Sequence, residues 1–170
     1  MTSRTLVLLR HAKADRPDGV GDLERPLTER GHADAAAAGA WLAHHGYAPE
    51  LVICSPARRT RQTWHGVAVA MAEAAADASA PTVRYEPGLY AEGHPALLAL
   101  AKAVPAEIAT VLLVGHNPDI SLLSAMLDPD SADDSDGMRT CGLAVHRFDG
   151  DWASLGTGGA PLADSHTARG

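Results

Sequence analysis

Short runs of consecutive apolar residues, separated by amphipathic stretches, dominate the pattern of this chain. Residues 6–9 (Leu-Val-Leu-Leu), 51–54 and 110–114 are each long enough for one strand and are bounded by polar residues. Such runs are typical of strands that are buried on both faces inside a parallel sheet. A further short strand is predicted at residues 83–86.

The stretches between these strands carry helix signals. Thr28 is a good N-cap for a helix over residues 33–44, and Pro56 suits the first turn of the next helix. Further helices are predicted over residues 94–104 and 118–127. The alternation of strands and helices predicts an α/β fold, a three-layer sandwich with a mostly parallel central sheet flanked by helices.

The C-terminal part is predicted to end the sheet at one edge. Residues 143–148 and 151–155 flank an Asp-Gly turn and predict a hairpin on that edge. The Gly-, Ser- and Thr-rich residues 156–170 are predicted to form a flexible tail, which leaves a single domain over residues 1–155. The acidic residues 128–137 lack the pattern of a calcium-binding loop and predict a solvated, mobile segment.

Composition and charge argue against several classes of function. The net charge of −7 disfavours nonspecific binding to nucleic acid or to anionic membranes. No apolar stretch approaches the ~18 residues of a membrane span, and the N-terminus shows no signal-peptide pattern. Two cysteines, Cys54 and Cys141, are too few for a disulfide framework or a zinc site. A reducing cytoplasm is therefore the expected location.

Two histidines and several arginines come directly after the predicted strands. Ligands bind beyond the carboxyl ends of parallel strands, so Arg10, His11 and His116 are expected to meet at one edge of the sheet. Arginine binds phosphate oxygens bidentately, and Arg10, Arg25 and Arg59 are expected to surround a phosphoryl group. Neighbouring cations disfavour imidazolium, which keeps one histidine neutral and able to attack phosphorus.

No metal or cofactor motif accompanies these residues. The sequence has no phosphate-binding P-loop, no dinucleotide-binding glycine pattern, no His-Glu-x-x-His and no paired-cysteine site. The histidines are flanked by arginines, which repel a metal ion. Neither a metal nor another cofactor is therefore expected, and an anion is the better ligand.

Four motifs, in their order and spacing, resemble the histidine phosphatase (phosphoglycerate mutase-like) superfamily. They are Leu-Arg-His-Ala at 9–12, Arg-Pro-Leu-Thr-Glu-Arg-Gly at 25–31, Ser-Pro-Ala-Arg-Arg-Thr-Arg-Gln-Thr at 55–63 and Val-Gly-His-Asn-Pro at 114–118. Within that superfamily, the short chain and its Gly-His-Asn-Pro motif look like the SixA-type phosphohistidine phosphatases. The resemblance implies a phosphoglycerate mutase-like fold and a metal-independent phosphatase with a phosphohistidine intermediate.

Carried over by position, the resemblance also implies roles for individual residues. His11 would be the phosphorylated nucleophile, and His116 would hold and stabilise the phosphoryl group during transfer. Arg10 and Arg59 would bind that group. Arg58 is a rival for Arg59, but the family spacing from Ser-Pro to Gln-Thr fits Arg59 better.

Further roles stay open at this stage. Arg25 matches a position associated with the site in the short members, and Asn117 is a candidate both for a helix N-cap and for a ligand contact. Larger members place a glutamate after the third strand as general acid, and here Glu92 or Glu86 occurs at imperfect spacing. Asp22 is another candidate. Phosphohistidine has a better leaving group than an alkyl phosphate, so this departure favours a phosphoramidate substrate.

These observations support three hypotheses about function. The first is dephosphorylation of phosphohistidine in a partner protein, and the second is hydrolysis of a small phosphorylated metabolite. The third is a non-catalytic phosphate-binding or interaction domain. Two histidines within the cation cluster argue against the third hypothesis, because binding alone needs only the arginines.

Overall fold

The computed structural model describes residues 2–131 and 137–170. The acidic residues 132–136 lie outside the described part of the chain, and with them lies the centre of the segment that the sequence predicts to be mobile.

A mixed sheet of six strands forms the middle layer of the described structure. The strands are β1 (Ser3–Arg10), β2 (Leu51–Cys54), β3 (Thr82–Tyr85), β4 (Thr110–Gly115), β5 (Gly142–Asp149) and β6 (Leu162–Thr167). Their order across the sheet is β3-β2-β4-β1-β5-β6. The first four strands run parallel to one another, whereas β5 is antiparallel to β1 and β6 is antiparallel to β5.

Helices cover both faces of this sheet. They are α1 (Glu29–His44), α2 (Arg58–Ala74), α3 (Gly88–Ala91), α4 (His94–Lys102) and α5 (Asp119–Leu127). One core lies between the sheet and α1 and α2, and the other lies between the sheet and α4 and α5. The predicted three-layer α/β sandwich with a mostly parallel sheet is therefore confirmed. Among the described residues, no helix combines the length and apolarity needed to cross a membrane.

The central strand β1 shows why the apolar runs are continuous. Side chains alternate between the two faces of a strand. Leu6 and Leu8 therefore enter the core under α4 and α5, while Val7 and Leu9 enter the core under α1 and α2. All four are at most 1% exposed. A strand that packs on both faces has no polar positions to alternate with, as the pattern predicts.

Small residues let α1 and α2 approach each other closely. A Cβ atom on Gly39 would lie 2.4 Å from the carbonyl oxygen of Val67, and one on Gly66 would lie 2.9 Å from the Cβ of Ala35. Both contacts are shorter than van der Waals separation, so glycine is needed at both positions for this packing. The N-cap predicted for α1 is also present, because the Thr28 hydroxyl accepts the Gly31 N–H.

Two predictions for the C-terminal segment are wrong. Residues 151–155 do not pair with β5; they contain a short 3-10 helix, Trp152–Ser154. The reason is Trp152, whose ring is buried and whose indole N–H donates to the Ile108 carbonyl at 2.7 Å. The antiparallel partner of β5 is instead β6, which lies within the segment predicted to be a flexible tail.

Beyond β6 the chain ends against α1. The buried carboxylate of Asp34 accepts the Gly170 N–H at 3.0 Å and pairs with the Arg169 guanidinium at 3.4 Å. Arg30, one helical turn from Asp34, lies 3.6 Å from the same carboxylate. A buried carboxylate requires such partners, so these contacts hold the last residues in place.

We expect Asp34→Ala to destabilise the protein by about 2 kcal/mol, because the substitution leaves a buried N–H and a guanidinium without their acceptor. Urea denaturation followed by circular dichroism measures the change. Glu73→Ala, at an exposed position of α2, is the matched control and should change stability by less than about 0.5 kcal/mol. Equal stability of the two variants would show that the C-terminal contacts contribute nothing.

Candidate active site

The carboxyl ends of three parallel strands meet at one edge of the sheet. In the register of the central pair, Arg10 of β1 lies opposite Gly115 of β4. The next residue, His11, donates its backbone N–H to the Gly115 carbonyl at 3.1 Å. β4 is followed by His116 and the neighbouring strand β2 by Ser55, so the polar residues after all three strands converge.

A pocket of about 600 Å³ opens at this edge. All the residues that the sequence predicts to be catalytic or substrate-binding line its wall, namely Arg10, His11, Arg25, Arg59, His116 and Asn117. Asp22 lines it as well. Glu92 does not line the pocket; it lies at the C-cap of α3 and is exposed to solvent.

Of the two adjacent arginines at the start of α2, only Arg59 faces the pocket. Its side chain is 7% exposed, whereas Arg58 is exposed to solvent and does not line the pocket. Successive helical residues point about 100° apart, so one helix can direct only one of the two inward. Thr63, one turn further along the same face, accepts the Ala12 N–H at 3.0 Å and so holds the loop after β1 against α2.

The His11 imidazole is held as a neutral base. Its Nδ1 atom lies 2.7 Å from the Ala12 carbonyl oxygen, which can only accept, so Nδ1 carries the proton and Nε2 keeps a free lone pair. Burial lowers the pKa of His11 to about 3, and the charges of His116, Arg59 and Arg10 act in the same direction. The bond to Ala12 opposes this shift only in part. At neutral pH the ring is therefore uncharged, which is the state that a nucleophilic histidine requires.

His116 is oriented by a serine. The Ser55 hydroxyl accepts the Ala57 N–H at 3.3 Å and lies 2.8 Å from His116 Nε2. Among the hydrogen bonds of the described residues, His116 Nε2 is the only acceptor for the proton of the buried Ser55 hydroxyl, so we assign this proton to the bond with Nε2 and the His116 proton to Nδ1. Burial lowers the pKa of His116 to about 4, with a further contribution from the positive charge of Arg59. The ring is therefore a neutral hydrogen-bond donor.

Three buried side-chain nitrogens in the described residues have no hydrogen-bond partner: Arg10 Nε, Arg59 Nε and His116 Nδ1. All three are donors and all three belong to this pocket. The His116 ring centroid also lies 5.3 Å from that of His11, so the two imidazoles are close neighbours in the pocket. Unpaired buried donors cost about 1–3 kcal/mol each, and a ligand rich in acceptor oxygens satisfies them. The pocket is thus complementary to an oxyanion.

The Asp22 carboxylate connects the arginines of the outer wall. It lies in a short 3-10 helix, Asp22–Glu24, at 3.1 Å from Arg59 and 3.3 Å from Arg25. The Tyr90 hydroxyl donates to the same carboxylate. Arg59 also donates to the Asp22 carbonyl oxygen at 2.7 Å, so Asp22 holds this guanidinium through both its backbone and its side chain.

Asn117 is tied into the pocket wall by its side chain. Its amide donates to the Met138 carbonyl at 2.8 Å, and Arg10 donates to the same carbonyl at 2.9 Å. The Ser121 hydroxyl donates to the Asn117 Oδ1 atom at 2.6 Å. The N-cap position of α5 is occupied by Pro118 and has no side-chain cap, so Asn117 does not act as the predicted N-cap.

Comparison with known proteins agrees with this geometry. The family model described as histidine phosphatase superfamily (branch 1) matches residues 6–89. A structure from Nakamurella multipartitia, assigned provisionally as the phosphohistidine phosphatase SixA, is 37% identical, covers 99% of this chain and 98% of its own, and superposes with a TM-score of 0.85. The chain belongs to the histidine phosphatase superfamily.

Two further relatives support this membership. A structure from Agrobacterium tumefaciens with the same provisional assignment is 32% identical, covers 96% of this chain and 97% of its own, and has a TM-score of 0.77. An uncharacterised protein of Mycobacterium tuberculosis is 36% identical over 168 residues, which are 95% of this chain and 100% of the relative. The predicted family and the predicted enzyme class, a phosphatase, are confirmed.

The arrangement of this histidine phosphatase leaves neither candidate general acid ready to donate a proton. The hydrogen bond from Tyr90, with those from Arg59 and Arg25, lowers the pKa of Asp22 to about 2, against a smaller opposing effect of burial. Asp22 is therefore ionised at neutral pH. Glu92 lies outside the pocket, as does Glu86, the other glutamate considered from the sequence.

Sequence reasoning missed two residues of this site, Tyr90 and the partner role of Ser55. Tyr90 comes from α3, a helix that the sequence did not predict, and its ring lies edge-on to His116 at 5.6 Å between centroids. The Arg59 guanidinium lies 6.0 Å from the centre of the same ring. No hydrophobic periodicity in the sequence indicates Tyr90 as a site residue. Ser55 belongs to the Ser-Pro motif, but the local pattern there favours a helix cap and not a partner of His116.

Stability should fall in acid because the native state resists protonation of two histidines. Their native pKa values, about 3 for His11 and about 4 for His116, lie below the ordinary value of 6.5. The unfolded chain therefore binds protons that the native state does not, and stability declines as the pH drops below about 6.5. Between pH 8 and pH 5 each histidine should account for a loss of about 2 kcal/mol.

Urea unfolding of the wild type and of His116→Asn at pH 8 and pH 5 measures this difference. The variant should lose about 2 kcal/mol less than the wild type over this interval. Part of the loss should persist in the variant, because burial also lowers the pKa values of His11 and His146. An equal loss in both proteins would contradict a depressed pKa at His116.

Proposed function

We propose that this protein is a metal-independent phosphatase that removes the phosphoryl group from phosphohistidine in a partner protein, through a phosphohistidine intermediate on His11. The observation that carries the proposal is the pairing of a neutral nucleophile with unpaired donors. His11, whose Nε2 keeps a free lone pair, lines a pocket whose unsatisfied N–H groups come from Arg10, Arg59 and His116. Such a set is suited to phosphoryl transfer rather than to binding alone.

In the first step, His11 Nε2 attacks phosphorus in line with the leaving group. The new N–P bond forms while the bond from phosphorus to the substrate nitrogen breaks, and its electron pair stays on that nitrogen. Charge spreads over the three equatorial oxygens, where Arg10, Arg59 and the Nδ1 proton of His116 donate hydrogen bonds. Because these donors are fixed by Met138, Asp22 and Ser55, they need little reorganisation during the reaction.

In the second step, water attacks the phosphorylated His11. A P–O bond forms, the P–N bond breaks, and the electron pair returns to Nε2, so the histidine is restored as a neutral base. One water proton passes to the released phosphate or to solvent. The same donors stabilise both transition states, because the phosphoryl oxygens occupy the same positions in each step.

The state of the two candidate acids supports a phosphoramidate rather than an alkyl phosphate as substrate. An alkoxide leaving group needs a proton as the bond breaks, and neither Asp22 nor Glu92 is positioned and protonated to supply it. A phosphoimidazole ring that carries a proton on its other nitrogen leaves as neutral imidazole, without a proton from the enzyme. The provisional phosphohistidine assignments of two similar structures agree with this choice. Buried free thiols at Cys54 and Cys141 fit a reducing compartment such as the cytoplasm.

Replacing His11 with alanine should abolish turnover, with a loss of at least about 10³-fold in kcat, because no other group can form the covalent intermediate. Release of phosphate from a histidine-phosphorylated protein and from phenyl phosphate is measured with EDTA present. The wild type should prefer the phosphohistidine protein and should carry an acid-labile label after a rapid quench. Full activity of His11→Ala would refute the covalent mechanism.

Replacing Arg59 with alanine should lower kcat/KM by about 10²–10³-fold, because one donor to the equatorial oxygens is lost. Arg58→Ala is the matched control, since the neighbouring arginine is exposed and points away from the pocket. It should retain activity within about threefold of the wild type. Comparable losses in both variants would show that general positive charge, and not the position of Arg59, matters.

A further inference from the structure

A carboxylate within a pocket for an anion needs an explanation, and Asp22 is such a group. It lines the same wall as the arginines and half of its side-chain surface is exposed. An ionised carboxylate there repels the phosphoryl dianion. Its contacts with Arg25 and Arg59 compensate for part of that repulsion. A neutral hydrogen-bond acceptor could position the two arginines without repelling the dianion.

One oxygen of this carboxylate is free to contact a substrate. Oδ2 accepts hydrogen bonds from Tyr90 and from Arg59, which uses both of its favourable acceptor directions. Within the described part of the chain, Oδ1 accepts only from Arg25, in a long contact of 3.3 Å. Oδ1 therefore keeps an acceptor direction, and its group is half-exposed at the pocket.

Tyr90 links Asp22 to His116, and among the described residues no hydrogen bond joins Asp22 to His11. The Tyr90 ring contacts His116 edge-on while its hydroxyl binds Asp22, so these three groups form one side of the site. The negative charge of Asp22 raises the pKa of His116, although burial and the charge of Arg59 lower it by more. The charges that act on the pKa of His11 are those of His116, Arg59 and Arg10. In an in-line transfer the leaving group departs on the side away from His11.

We propose that Asp22 determines leaving-group specificity, by accepting a hydrogen bond from the protonated imidazole ring of a phosphohistidine and by repelling the anionic oxygen that leaves from a phosphate ester. This inference rests on the proposed function, because it assumes phosphoryl transfer to His11. In this role Asp22 accepts a hydrogen bond, which suits an ionised carboxylate, and it does not donate a proton.

The chemistry balances for each class of substrate. In a phosphoimidazolium the ring bears phosphorus on one nitrogen and a proton on the other. When the P–N bond breaks, its electron pair neutralises the ring, which leaves as imidazole with its remaining N–H directed at Asp22 Oδ1. When an O–P bond breaks, the electron pair creates an oxyanion, and the adjacent carboxylate raises the energy of that product.

The test compares N-phosphoimidazole with phenyl phosphate as substrates of the wild type and of Asp22→Asn. The substitution should lower the ratio of kcat/KM for N-phosphoimidazole to kcat/KM for phenyl phosphate by at least about tenfold, whatever loss of Arg59 positioning the two substrates share. The ratio of the two constants is independent of the fraction of protein that is folded. Asp22→Glu, which keeps the charge, should retain most of the wild-type ratio.

Two further variants separate charge from structure. Tyr90→Phe removes one hydrogen bond to Asp22 without changing its charge and should keep the substrate ratio within about threefold of the wild type, even if both activities fall. Glu24→Gln removes a charge from the same 3-10 helix at an exposed position and should leave the ratio unchanged.

A parallel loss on both substrates in Asp22→Asn would overturn the inference, because it would show that Asp22 only holds Arg59 in place. An unchanged ratio would overturn it as well. Failure of the proposed function has a different signature, which is a wild type inactive on both substrates or a His11→Ala variant as active as the wild type.

Discussion

The in-register parallel pairing of β1 with β4 is the constraint on which the site depends. It places Arg10 opposite Gly115 and so brings the next residues, His11 and His116, side by side at the edge of the sheet. The apolar residues of both strands are buried on both faces, which makes this register costly to change. A slip of one residue would exchange the two cores and separate the imidazoles. The hydrophobic packing of the sheet thus fixes the distance between the two histidines.

Burial at this edge has an electrostatic consequence. The same desolvation that results from packing lowers the pKa values of both histidines, so that each ring is neutral under ordinary conditions. The arginines beside them remain charged, since guanidinium resists deprotonation. The result is a pocket that combines positive charge, which favours an anionic ligand, with two uncharged imidazoles. Both properties arise from the protein's own side chains.

The segments that connect the elements of the site are fixed by hydrogen bonds from motif residues. Thr63 holds the loop after β1, and Gln62 accepts the Leu27 N–H at 2.8 Å and so holds the segment before α1. Gly31 allows close approach of that segment, because a Cβ atom there would lie 2.2 Å from the Lys13 carbonyl oxygen. The motifs of this family therefore combine residues that face the ligand with residues that position them.

The sequence by itself determined the architecture, the family and the set of residues at the pocket, because continuous apolar runs ending in Arg-His and Gly-His specify both the buried strands and the polar residues at their ends. The sequence did not predict which segment forms the edge strand next to β5. Trp152 and β6 are placed by burial and by pairing with β5, which are long-range contacts without a local pattern. Only the tertiary structure could show that Tyr90 and two arginines bind the Asp22 carboxylate and lower its pKa, and that Tyr90 lies edge-on to His116. The pKa of a carboxylate and the neighbours of a ring depend on groups far apart in the chain.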